Sequence, residues 1–154
     1  MNELSFRIMG LYIKIEKNKK LSNKLKILAG ACLFFSFCYC HGTKSLENID
    51  KGQALLTNIV WIISIIVLVG LYIKDSYCVK NSKSAEFEIY RLEVEDLNNK
   101  KDVARITGKV LPDNVLNKQI DMPNEKVSLP ILYYSILLGL DIIIRISLIK
   151  ILSV

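Results

Sequence analysis

The sequence predicts an all-α membrane protein: a transmembrane helical hairpin with an N-terminal amphipathic helix, a cytoplasmic helix and a C-terminal hydrophobic helix. Residues 54–73, ALLTNIVWIISIIVLVGLYI, run for twenty positions without a charge. A helix rising about 1.5 Å per residue needs that length to cross a hydrocarbon core of roughly 30 Å. Residues 27–43, ILAGACLFFSFCYCHGT, form a second uncharged run of seventeen. Only three prolines and seven glycines interrupt the 154 residues, so the long segments keep their helical periodicity. A secretory signal would lie at the extreme N-terminus with a shorter apolar stretch, and a soluble core helix would carry charges on one face.

Four segments follow from these runs. Residues 1–22 are a basic amphipathic arm, in which Leu4, Ile8, Leu11 and Ile15 recur at spacings of four, three and four. That stripe suits either a helix lying on anionic lipid or a seam against another helix. Residues 25–74 hold the two-span hairpin, joined by the short connection 44–51, which pairs the spans antiparallel. Basic flanks orient it. Arg7, Lys14, Lys17, Lys19, Lys20, Lys24 and Lys26 precede the first span against two acids, whereas the connection offers only Lys44 and Lys51. The N-terminus and residues 74–130 are therefore expected inside the cell, making a multi-pass inner-membrane protein. The net charge of +6 is largely this signature, since residues 74–130 balance ten basic against ten acidic side chains. No direct nucleic-acid binding is expected.

Residues 75–130 read as a cytoplasmic helix and linker. Ser82 and Ser84 are candidate N-caps, with Glu86 and Glu88 in the first turn beyond them. Phe87, Tyr90, Val94 and Leu97 recur at three, four and three, a heptad-like seam suited to joining subunits of a homo-oligomer, and Ile89 and Leu92 add a second strip. Gly108 and Pro112 end the helix near residues 107–112, and a short helix is expected around residues 115–120.

Residues 131–154 hold fifteen Ile, Leu or Val residues, interrupted by Asp141, Arg145 and Lys150. The aliphatics favour insertion by roughly 7 kcal/mol in sum, and the two central charges oppose it by about 2.5–3.5 kcal/mol each. A spacing of four places Asp141 and Arg145 on one face as an intramembrane ion pair. The segment is therefore expected to be a third membrane-embedded helix. On the second span Thr57, Asn58 and Ser64 form a mildly polar stripe that glues helices together or wets a path.

Enzyme chemistry finds no support. Cys38, Cys40 and His41 lack a second ligand pair, and neighbours on a helix point to different faces, so no metal or other cofactor is expected. Cys32 follows too short an apolar core for lipoprotein processing, and Cys78 reads as a plain thiol. The acids of residues 86–96 have no His or Cys at ligand spacing and read as a solvated face.

The order of a basic arm, a two-span hairpin and a charged helix resembles the SLATT family of bacterial small membrane effectors over about residues 6–97. The resemblance is carried by KNKKLSNKLKI at 17–27 and by YIKDSYCVKNSKSAEFEIYRLEVEDL at 72–97. It implies a pore-forming or membrane-disrupting effector of antiviral defence, working beside a nucleotide-signalling or reverse-transcriptase partner protein. It transfers no catalytic residue. A non-toxic membrane adaptor or immunity protein, binding a partner through the same cytoplasmic helix, is the alternative.

Overall fold

A computed structural model describes residues 3–44, 51–124 and 130–152. The described residues are helical with no strand: α1 (Glu3–Lys44), α2 (Lys51–Thr107), the single turn α3 (Asp113–Leu116) and α4 (Ile131–Leu152). The connection 45–50, linker residues 125–129 and the side chains of Cys40, His41, Ser147 and Lys150 lie outside what is described.

Two of the expected boundaries are absent. The arm and the first span are one helix, because KNKKLSNKLK contains neither Gly nor Pro to break it. The second span likewise continues through Ser82 and Ser84, so neither serine caps a helix; with no breaker between residues 71 and 107, every backbone donor there has its intrahelical acceptor. The expected stop does appear. Gly108 takes a left-handed φ of 67°, and the Lys109 N–H donates to the Ala104 carbonyl at 3.1 Å, the bond that closes a Schellman turn. The short helix after it is Asp113–Leu116, starting earlier than expected because Pro112 sets its first turn and accepts from Val115 and Leu116.

The described residues fall into two compact units, the first from 3–19 and 80–124, the second from 20–44, 51–79 and 130–152. In the first, Leu11 and Ile15 of α1 bury themselves against Ala85, Ile89 and Leu92 of α2, with Leu4 and Ile8 at the margin. In the second, α4 packs along α1 and α2 through Ala29, Leu68, Tyr134 and Leu137. Two helices, over Glu3–Tyr39 and Leu55–Thr107, are long and apolar enough to cross a membrane.

Candidate functional site

The second unit has a polar interior. Its inward positions on α1 are Ser22, Leu25, Ala29 and Ser36, at intervals of three, four and seven; on α2 they are Ser64, Leu68, Asp75 and Cys78, at four, seven and three. Both sets keep the spacing of a heptad seam, so the two helices turn the same stripe toward each other throughout the unit. What fills the stripe is unusual, because small hydroxyls and acids occupy places that a soluble bundle gives to Leu and Ile. The outward faces carry Phe34, Phe35, Ile62, Ile63, Ile66, Leu132 and Ile143, all exposed.

The three helices of the unit are joined by three sets of contacts. Ser64 Oγ lies 3.6 Å from Cys32 Sγ, linking α2 to α1 through small side chains. The Tyr133 hydroxyl donates to the Lys26 carbonyl at 2.8 Å, tying the start of α4 to α1, and Tyr134 meets the Tyr72 ring edge to face at 5.6 Å. Two and three turns further along α4, Asp141 and Arg145 meet on the indole of Trp61. The indole N–H donates to Asp141 Oδ2 at 2.7 Å, and the Arg145 guanidinium stands 5.0 Å from the ring centroid. No direct Asp141–Arg145 ion pair stands among those of the described residues; the two charges are joined instead through a third residue that spacing within α4 could not show.

Of the polar stripe, Ser64 faces inward, Thr57 is half-buried and Asn58 is exposed. One turn of helix explains the split, since residues 57 and 64 are seven apart and share a face while residue 58 lies about 100° round. In the first unit, the strip of Phe87, Tyr90, Val94 and Leu97 is half-buried, because the positions covered by the arm are Ala85, Ile89 and Leu92. Val94 is five residues from Ile89, about 140° away round the helix. Tyr90 instead lines a groove of about 310 Å³ with Tyr12, Glu86, Glu93, Ile120 and Asp121. A second arm strip, Phe6, Met9 and Ile13, stays exposed.

Sequence reasoning missed Asp75, the most enclosed large side chain of the described residues. Lys74 and Asp75 read as the charged end of the span, and only the seam register 64, 68, 71, 75, 78 could have placed the acid inside.

Comparison of the chain with family models, with curated proteins and with solved structures gives no match.

Proposed function

We propose that this protein is an integral effector of the bacterial inner membrane that oligomerises and permeabilises the bilayer when triggered, as the resemblance to the SLATT family implies. The observation that carries this reading is the inverted polarity of the second unit: Ser36, Ser64, Asp75 and Asp141 are buried while Phe35, Ile63, Ile66 and Ile143 are exposed. Water would penalise that arrangement on both counts, whereas a bilayer rewards the outer face and leaves the inward polar groups as an ion or helix-contact surface. Assembly has two surfaces to use, the half-buried strip of Phe87, Tyr90, Val94 and Leu97 and the exposed arm strip of Phe6, Met9 and Ile13. Phage defence, beside a nucleotide-signalling or reverse-transcriptase partner, is the setting in which such a protein would be held silent until infection.

One observation favours the second reading, a non-toxic adaptor or immunity protein. The groove around Tyr12 and Tyr90 is edged by Glu93 and Asp121, with Glu86 already paired to Lys19 and Lys83, and is a surface of the first unit that a partner segment bearing a positive charge would fit. Induced expression in cells loaded with a membrane-potential dye separates the two. The effector reading expects depolarisation within minutes of induction and arrested growth; polarised, growing cells carrying the full-length protein in their membranes would support the adaptor.

A further inference from the structure

The interior of the second unit satisfies its polar groups unevenly. Asp141 accepts from Trp61, and Ser64 faces Cys32. Asp75 has nothing comparable. It is 0% exposed, and neither carboxylate oxygen has a hydrogen-bond partner. The Tyr134 hydroxyl, on the α4 residue that packs over Leu68 and Tyr72 of the same face, is likewise buried without a hydrogen-bond partner. The hydroxyl of Ser76, next along α2, is also buried and unpartnered. Lys74 on the other side points to the exterior. An enclosed carboxylate without a counter-charge is among the costliest arrangements a fold can hold, and it is relieved either by a proton or by a positive charge brought to it.

We propose that Asp75 and Tyr134 form a binding site for one alkali-metal cation, sodium or potassium. The donor set selects this class. Two carboxylate oxygens and a phenol oxygen are hard ligands, and a single negative charge is neutralised by a single positive one. Zinc and other thiolate- or imidazole-seeking ions are disfavoured, since among the described residues no three His, Cys, Asp or Glu side chains group together. Tyr134 packs on Tyr72 and Leu68, which share the inward face of α2 with Asp75, and it lines a groove of about 300 Å³ with Leu68, Tyr72, Ile131 and Leu138, the side from which a cation would approach. The site stands independently of permeabilisation, and its test does not read membrane potential.

The purified full-length protein in lipid nanodiscs is melted in sodium, potassium and N-methylglucamine chloride at equal ionic strength and one pH. A ligand bound only by the folded state raises the melting temperature with its concentration, so sodium or potassium should raise it by about 3 °C or more over N-methylglucamine, with saturation. Comparison of the two alkali arms identifies the ion. Asp75→Asn should melt at one temperature in all three salts, and Tyr134→Phe should move half-saturation to about tenfold higher cation. Equal melting of the wild-type protein in the three salts overturns the proposal, as does an undiminished cation response in Asp75→Asn. Should Asp75→Asn fail to fold, the wild-type series and Tyr134→Phe decide alone.

Discussion

The two units are built from the same helices, α1 and α2, and use the same alternating spacing of three and four, yet they bury opposite chemistry. In the first, Leu11, Ile15, Ala85, Ile89 and Leu92 are inside and the ion pairs Arg7–Glu88 at 2.9 Å and Lys19–Glu86 at 3.5 Å are outside. In the second, serines, Asp75 and Asp141 share the interior with Ala29 and Leu68, and the outside is Phe, Ile and Leu. The periodicity of a helix decides which side chains meet, and the composition of the opposite face decides which solvent the pair can live in. A helix of 42 residues and one of 57 can therefore serve both solvents without a break.

That contrast can be broken most forcefully by truncating one apolar residue in each unit. Ile89 is 6% exposed in an apolar cluster, so Ile89→Ala should cost about 2–5 kcal/mol. Ile66 is 64% exposed on the outward face of the second unit, and Ile66→Ala should leave the melting temperature in nanodiscs within a degree or two of wild type. Equal losses at the two positions would mean that Ile66 packs against protein. The next effect in size concerns the second unit's interior. Trp61→Phe keeps the ring but removes the N–H that Asp141 accepts, and should cost about 1–3 kcal/mol by the same melting measurement. The double change Asp141→Leu with Arg145→Leu, which removes both charges, should be milder than either single change. A Trp61→Phe protein as stable as wild type would show that the indole N–H adds nothing net to holding the acid.

The smallest effect belongs to the first unit's surface. Arg7 and Glu88 are exposed enough for water and salt to screen them, so a double-mutant cycle with Ala at both positions should give a coupling of about 0.2–1 kcal/mol, fading above physiological salt. A coupling well above that range, insensitive to salt, would mean that the pair is shielded, as a lipid surface or a second subunit would shield it.

Much of the fold was legible in the sequence, because helices announce themselves by period. The uncharged runs, the arm stripe of Leu4, Ile8, Leu11 and Ile15, and the stop at Gly108 all depend on residues close together in the chain. The supposed caps at Ser82 and Ser84 show the limit of that logic, since a serine caps a helix only where the helix already ends, and here nothing ends it. The site was legible in part. Asp141 and Arg145 stand out as charges in an apolar tail, but their partner Trp61 lies eighty residues from Asp141 and is found only once α4 is laid along α2. Asp75 was hidden for a different reason. Beside Lys74 it looked like a water-facing terminus of the span, and its complete burial belongs to the packed unit rather than to its own helix.

Nitroxide labels on the full-length protein in liposomes decide whether the second unit faces lipid with its apolar side chains and encloses its polar ones. Labels at Ile66 and Ile136, both exposed on the second unit, are compared with a label at Arg91, exposed on the first. Molecular oxygen, which concentrates in the bilayer, should relax the labels at Ile66 and Ile136 far more than a water-soluble nickel chelate does, with the order reversed at Arg91. Strong relaxation by the nickel chelate at Ile66 and Ile136 would place that face in water and contradict the lipid-facing arrangement.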